Sequence, residues 1–582
     1  MSPDISQSDV AAIFAEMADI MEILEEDRFR VNSYRKAARV VSETAENLAA
    51  LAEAGELQRL PGVGKGTAGK IAEILKTGRL AQHEALRAEL PAGLLGLMDI
   101  QGLGPKTIAK LWKSAGVTDA DGLREALASD RERLEAVEGL GTKKLDLLAE
   151  ALQFAAVAAG RFRLDDAERA AEALRQTIAA CRGATRVETA GSLRRGRETV
   201  GDIDLLCQAD AGHGRAIIDA FAAADGVSQV LARGATKGSV ILDGRIQADL
   251  RVVPAESFGA ALQYFTGSKA HNVALREIAA RKKLKLNEYG LFAAGQDKPI
   301  AGADEEGIYA ALGLAPIPPE LREDRGELAA AAQGRLPALV GLDDIRGDLH
   351  MHTTASDGSG SIEQMIDACR AMGYQYMAIT DHSRSQAQAH GLDADRLADH
   401  VAAIRSADKK HKDIRVLAGI EVDILKDGRL DFPDAVLAEL DFVTASPHSA
   451  LRQGGSTATA RLIRAIENPH VHVIGHPSGR LIGRRAGMEI DIARLAAAAA
   501  ANDTALEINA HPMRLDLRDV HVRAAIDAGA KLLICTDAHG PETGGDLSLM
   551  RFGVATARRG WATAADVINT YTPARLAKWL RR

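Results

Sequence analysis

The sequence predicts a multidomain chain: helical modules lead into an α/β sheet, and the C-terminal part closes as a β/α barrel. Three observations carry this. A unit with two glycines recurs three times within the first 145 residues, an Asp-x-Asp run is followed by a separate apolar run bearing a third aspartate, and six short apolar runs near the C-terminus each end on a histidine or carboxylate. At 582 residues the chain is long enough for several domains, each burying its own core.

Residues 1–80 read as short amphipathic helices ending around the first glycine unit, and residues 81–155 as a second helical segment holding the other two. The units are Leu60-Pro-Gly-Val-Gly-Lys65, Ile100-Gln-Gly-Leu-Gly-Pro105 and Val137-Glu-Gly-Leu-Gly-Thr142, followed by helix-forming stretches with Lys70, Lys106 or Lys143 near the start. The pairs Gly62 and Gly64, Gly102 and Gly104, and Gly139 and Gly141 permit a tight turn and close approach. The next helix then offers free N–H groups to a phosphate. The unit resembles the helix-hairpin-helix, which implies a grip on the DNA backbone that positions without reading bases.

Residues 156–255 alternate strands and helices. Gly191-Ser-Leu-Arg-Arg-Gly196 precedes Gly201-Asp-Ile-Asp-Leu205, and Asp249 sits in Gln247-Ala-Asp-Leu-Arg-Val-Val253. Asp202 and Asp204 share one face of a strand, and Asp249 approaches from a neighbour. Carboxylates gathered in this way repel unless divalent cations lie between them, the layout for two magnesium or manganese ions flanking an in-line phosphoryl displacement. Gly191 and Ser192 bring backbone N–H groups and a hydroxyl toward a triphosphate, and Arg195 neutralises it.

Together these residues resemble the nucleotidyltransferase core, or palm, of family X DNA polymerases. The resemblance extends through Tyr264-Phe-Thr-Gly-Ser268 and Asn272. It implies that Tyr264, Phe265, Gly267 and Asn272 wall the nucleotide, that Arg276 reaches the template side, that Asp249 lies nearest the primer 3′-hydroxyl, and that residues 256–315 form a thumb. It also places Lys70 in register with a lysine that forms a Schiff base with a 5′-deoxyribose phosphate, with Arg35, Lys36 and Lys65 as neighbours that would lower its pKa; the alternative is that Lys70, near the start of a post-hairpin helix, contacts a backbone phosphate. From Lys269 to Lys285 six basic residues stand against Glu277 alone, which reads as a DNA-facing surface.

Pro316-Ile-Pro-Pro319 stops regular structure, and residues 316–343 read as a linker with a short helix. Residues 344–582 form the barrel. Its apolar runs end on Asp381-His382, Glu421, His448, His476, Glu507, and Asp537 with His539; Asp348-Leu-His-Met-His352 and Asp357 precede them. Buried parallel strands separated by helix-length segments gather their chemistry where the strands end. His350 and His352 point to one face, and the set exceeds what one ion can use, so a multinuclear site follows. Mixed imidazole and carboxylate donors suit zinc, manganese or iron and lead to phosphoester hydrolysis. D-L-H-x-H, T-D-H, G-x-E, S-x-H, G-H-P and T-D-A-H resemble the polymerase and histidinol phosphatase (PHP) domain. That implies a distorted, TIM-like barrel with three divalent metals on His350, His352, Asp357, His382, Glu421, His448, His476, Asp537 and His539. His390, His400, His411, His470, His472, His511 and His521 fall outside the pattern and read as solvated or structural.

The formal charge of −8 does not announce a nucleic-acid binder, so the local basic run carries that reading. Cys181, Cys207, Cys369 and Cys535 form no C-x-x-C pair, and no export signal or membrane-spanning run occurs, which points to the cytoplasm and away from membranes. The expected protein is a monomeric DNA-directed DNA polymerase that fills short gaps in base excision repair, taking gapped or nicked DNA and deoxynucleoside triphosphates. The resemblance implies 3′–5′ exonuclease activity in the barrel and extends to 3′-phosphatase and abasic-site endonuclease activity. Its rivals are a template-independent nucleotidyltransferase, and an end-binding repair scaffold fused to a small-molecule phosphatase.

Overall fold

The computed structural model describes residues 5–581 except 6, 45–47, 61, 92, 100–102, 143, 147, 150–160, 211, 244, 484, 486 and 543–544. Gly102 and Lys143 therefore lie outside the described residues. The chain divides into two compact units: Met1–Phe162 with Arg169–Thr189 and Gly201–Pro254, and Arg163–Glu168 with Ala190–Val200 and Ala255–Arg582. Among the described residues no helix is long and apolar enough to cross a membrane.

The first unit begins with α1 (Gln7–Ile23) and α2 (Arg28–Glu43). Phe14, Met17, Ile20 and Met21, at helical spacing, are buried in the N-terminal core. Asp27 caps α2 by accepting from the N–H of Phe29 at 2.9 Å. Helix α3 (Lys65–Thr77) starts from Gly64, and α4 (Pro105–Ala115) from Gly104 with proline in its first turn, where the missing N–H costs nothing. Gly62 and Gly139, at equivalent places in two of the repeats, have φ of +82° and +84°, a conformation that side chains with a Cβ resist.

A five-stranded sheet completes this unit: β1 (Ala184–Thr189), β2 (Asp202–Ala209), β3 (Val227–Arg233), β4 (Lys237–Leu242) and β5 (Ile246–Val253), in the order β1-β2-β5-β4-β3. Only β2 and β5 run parallel. Alternation along β2 buries Ile203 and Leu205 and turns Asp202 and Asp204 to the other face.

In the second unit, α5 (Gly191–Arg194) is a single turn. Helices α6 (Ala255–Thr266) and α7 (Lys269–Arg281) and the hairpin of β6 (Leu284–Asn287) and β7 (Gly290–Ala293) enclose a core containing Leu275, Leu291, Ile308 and Tyr309. Residues 316–343 do not behave as a free linker. Ile317 and Leu321 join that core, α8 (Glu327–Ala332) packs Ala331 into it, and Arg322, Glu323 and Glu327 are buried.

The barrel has seven parallel strands in sequential order: β8 (Gly347–Asp348), β9 (Tyr376–Ile379), β10 (Arg415–Asp423), β11 (Phe442–Ser446), β12 (Val473–Ile474), β13 (Ala505–Asn509) and β14 (Leu532–Cys535). A parallel bridge between Met351 and Ala538 brings its two edges together. Alternate residues serve two cores. Met377 and Ile379 pack outward with the helices, while Tyr376 and Ala378 meet Leu417, Phe442, Val473, Ala505 and Leu533 inside, where Ile568, Tyr571 and Trp579 plug one end. The plug leaves the C-terminal strand ends as the open face.

Candidate active sites

The expected barrel ligands lie at or beyond the C-terminal ends of the strands, and six of them, all histidines, surround Glu421 or Asp537. Glu421 is fully buried at the end of β10. Its oxygens lie 3.4 Å from His350 Nε2, 3.1 Å from His476 Nε2, 3.3 Å from His448 Nε2 and 2.7 Å from His382 Nδ1. Asp537 Oδ1 is 3.0 Å from His352 Nε2 and 3.6 Å from His350 Nε2. Asp357 Oδ1 is 3.5 Å from His539 Nε2, and its other oxygen 3.6 Å from His382 Nε2. Among the described residues three groups are compact enough to hold an ion: His352, Asp357, His382 and His539; His350, His352 and Asp537; and His382, Glu421 and His448.

The electrostatics match that use. Burial opposes ionisation of Glu421, yet His448 and its other histidine neighbours hold the carboxylate well below the usual range. Burial, with His382 and His539 alongside, pushes His352 down to about 4, so its imidazole is neutral and able to ligate. His350 Nε2, His352 Nδ1, His382 Nδ1, His476 Nδ1 and Glu421 Oε2 are buried without a hydrogen-bond partner. A cluster of orphaned donor atoms of this kind fits cations and would be costly without them.

Other polar groups stand behind the expected ligands, a supporting role that the sequence did not assign although Glu507 and Asp381 end apolar runs. Glu507, on β13, accepts from His350 Nδ1 at 2.7 Å and from the backbone N–H of His476. Asp423 holds His448 Nδ1 at 2.6 Å, and Asn509 donates to Asp537 at 3.0 Å. Asp381 accepts from the N–H and hydroxyl of Thr353 and from Ser356, which shapes the turn carrying Asp357; His400 Nε2 lies 2.8 Å from the same carboxylate. Asp348 likewise anchors Thr536 beside Asp537. Such partners fix imidazole orientation and tautomer. Asp348 and Asp381 sit inside the recognised motifs, whereas His400 carries no local signal.

In the five-stranded sheet the β2–β5 register sets Asp204 opposite Asp249, so two of the three carboxylates meet across one parallel pair. Asp202 lies at the β2 edge opposite Gln247. Asp249 accepts from Ser239 Oγ and, at 3.2 Å, from Gln247 Nε2, contacts that fix its orientation.

In the second unit Gly191 adopts φ +61° at the start of α5, with Ser192 half-buried beside it. Asn272 donates to the carbonyls of Tyr264 at 2.6 Å and Gly267 at 3.1 Å, tying α7 to the end of α6, and the Tyr264 and Phe265 rings meet edge to face at 5.2 Å. Arg195 does not stand open as a triphosphate contact would. It is buried, donating to Glu323 at 2.9 Å and to the Thr266 carbonyl at 2.8 Å. Arg276 and the five lysines and arginines around it from Lys269 to Lys285 are all exposed.

Lys70 is half-buried on α3, its ammonium 5.7 Å from the Tyr34 ring centroid. Lys36 runs alongside Gly62, where a Cβ would come within 2.6 Å of its Cε. Arg35 is instead engaged with Asp19 and Glu22.

Known proteins share these features. Residues 6–80 match the model of a helix-hairpin-helix domain, 94–153 that of a SAM-like helix-hairpin-helix tandem, 261–323 that of the DNA polymerase beta thumb and 348–511 that of the PHP domain. The chain is 39% identical over 578 residues to the DNA polymerase/3′-5′ exonuclease PolX of Bacillus subtilis (strain 168), covering 99% of each. It is 28% identical over 314 residues to DNA polymerase lambda of Rattus norvegicus, 50% of this chain and 51% of that one. A probable phosphatase of Shewanella sediminis (strain HAW-EB3) is 32% identical over 202 residues, 33% of this chain and 77% of that protein.

Proposed function

Because the chain belongs to the PolX family, the family X DNA polymerases that carry a PHP domain, we propose that it fills short gaps during DNA repair in the cytoplasm and trims 3′-ends with its barrel. The observation that carries this reading is that one chain holds two constellations: three aspartates on β2 and β5, and nine imidazoles and carboxylates at the barrel mouth.

Asp202, Asp204 and Asp249 would hold two magnesium or manganese ions, and the nine barrel residues three divalent cations, manganese, zinc or iron. Cations bound there supply charge neutralisation and Lewis-acid activation of a phosphate centre. Asp249, oriented by Ser239 and Gln247, faces the primer 3′-hydroxyl. Gly191 and Ser192 receive the triphosphate, Tyr264, Phe265, Gly267 and Asn272 line the nucleoside, and Arg276 reaches the template side. The glycines of the hairpins, Gly62, Gly64, Gly102, Gly104, Gly139 and Gly141, let α3, α4 and their counterpart approach the DNA backbone. In the barrel, Glu507 and Asp423 hold His350 and His448 in the orientation that leaves Nε2 free for ligation. The two activities cooperate, since a blocked 3′-end cannot attack a triphosphate until the block is removed.

The test is a labelled gapped duplex with manganese, with and without nucleotides. Asp204→Ala should lower gap filling by orders of magnitude while 3′-end hydrolysis persists, and His352→Ala should do the reverse. Loss of both activities in either folded variant would refute the two-site reading. The resemblance to a probable phosphatase favours a second reading for the barrel, removal of terminal phosphate. Comparing a DNA 3′-phosphate with a free phosphomonoester separates a DNA-end activity from a small-molecule one.

A further inference from the structure

The segment Ala190–Val200, which carries Gly191 and Ser192, is gripped from two sides of its own compact unit. On one side Arg194 donates to Thr266 Oγ1 at 2.8 Å and binds Glu305 through both nitrogens at 2.9 and 2.7 Å, and Arg195 reaches the Thr266 carbonyl and Glu323. The other side is the barrel. Its helices α9 (Asp519–Asp527) and α10 (Met550–Arg559) present Arg559, whose Nη1 donates to the backbone carbonyl of Arg195 at 2.8 Å and to Glu323 at 3.1 Å, while Nη2 donates to Asp519 at 2.7 Å. Farther along the segment, Glu198 pairs with Arg480 of the barrel at 2.7 Å. Gly196 has φ +63°, and a Cβ there would lie 3.2 Å from Ala555 of α10, so the helix rests directly on the turn.

Arg559, Glu323, Asp519 and Arg195 are all less than a tenth exposed. A charge-assisted donor to a loop carbonyl counts for far more in such a place than at a surface. Without Arg559, Glu323 keeps Arg195 and Arg197, and Asp519 keeps Arg325. Neither carboxylate would be orphaned, and the group left without its donor is the carbonyl of the nucleotide-side turn.

We propose that Arg559, a residue of the nuclease barrel, is a positioning residue for nucleotidyl transfer: by holding the Arg195 carbonyl it sets the Gly191–Ser192 turn for the incoming nucleotide. This rests on the reading that Gly191 and Ser192 receive the triphosphate. It makes the barrel a structural part of the polymerase rather than a separable appendage.

The test uses the full chain, with gap filling followed as a function of nucleotide concentration and 3′-end hydrolysis measured on the same preparations. Arg559→Met, which keeps length and loses every donor, should raise the nucleotide KM about 10-fold or more, the scale of one lost charged hydrogen bond, with kcat changed much less. Arg559→Lys should recover part of that loss, and hydrolysis should stay near the parent rate in both. If Arg559→Met fails to fold, Ala555→Leu presses on Gly196 from the half-exposed side of α10 and should raise KM in the same way. An unchanged KM in these variants, or equal loss of both activities with a falling melting temperature, overturns the proposal. Ser192→Ala is the control: a KM unmoved by it refutes the reading of the turn itself, whereas a KM raised by it but not by Arg559→Met refutes only the role of Arg559.

Discussion

Glu507 offers the sharpest test of how the barrel holds its ligands. The side chain is fully buried and serves two donors, His350 Nδ1 at 2.7 Å and the backbone N–H of His476, one on each oxygen. Glu507→Gln keeps the shape but leaves one acceptor oxygen, so in either orientation an NH₂ group must face a donor. One of two proposed ligands, His350 or His476, then loses its orientation. Removing a supporting carboxylate behind a metal-bound histidine weakens metal binding about 10- to 100-fold, or about 1.4–2.7 kcal/mol. The fold should survive, because burial already pushes the Glu507 carboxyl toward its neutral form and an amide relieves that penalty. Equilibrium dialysis of the full chain against buffered manganese or zinc, followed by elemental analysis, reads the affinity directly. Hydrolysis of 3′-ends should fall in parallel, while gap filling on the same preparation stays at the parent level. A variant that retains the parent's metal content at limiting free metal and hydrolyses at the parent rate would refute the assignment.

Three further outcomes are expected. Gly62→Val combines a φ of +82° with a clash against Lys36, and it should weaken binding to unrelated gap sequences almost equally, with affinity falling steeply as salt rises; a lost sequence preference would contradict this. Borohydride should trap a covalent adduct between the parent protein and a 5′-deoxyribose phosphate end, and Lys70→Ala should abolish it while DNA binding persists; trapping that survives the change would place the amine elsewhere. Burial works against ionisation of Glu323, but Arg559 first, then Arg195 and Arg197, draw its carboxyl down from 4.5 to about 2. Since the folded value lies below the unfolded one, its stabilisation is complete above pH 4.5 and disappears as pH falls toward 2, about 3 kcal/mol over that window. Denaturant unfolding between pH 7 and pH 3 should show a steeper acid loss in the parent than in Glu323→Gln, and parallel profiles would count against the ionic hub.

What the sequence alone determined is whatever is written locally. Strand alternation puts Asp202 and Asp204 on one face, two glycines announce a tight turn before a helix, and an apolar run ending on a histidine or carboxylate marks a barrel strand, so the shared face of the aspartates and the gathering of imidazoles and carboxylates at strand ends were legible residue by residue. What only the tertiary structure decided is which charges face one another. Arg195 looked free for a triphosphate because Glu323, 128 positions away, gives no local sign of meeting it. Residues 316–343 looked like a tether because Pro316-Ile-Pro-Pro319 stops regular structure, and nothing local shows that Arg322, Glu323 and Glu327 meet buried partners elsewhere in the chain. His400 had no spacing to reveal it, and Glu507, marked as the end of an apolar run, gave no sign that it would support His350, since each acts on a loop brought up by a different strand. The physical reason is common to all four: periodicity reports the face a residue occupies, whereas a buried polar side chain is tolerated only for a partner that folding delivers.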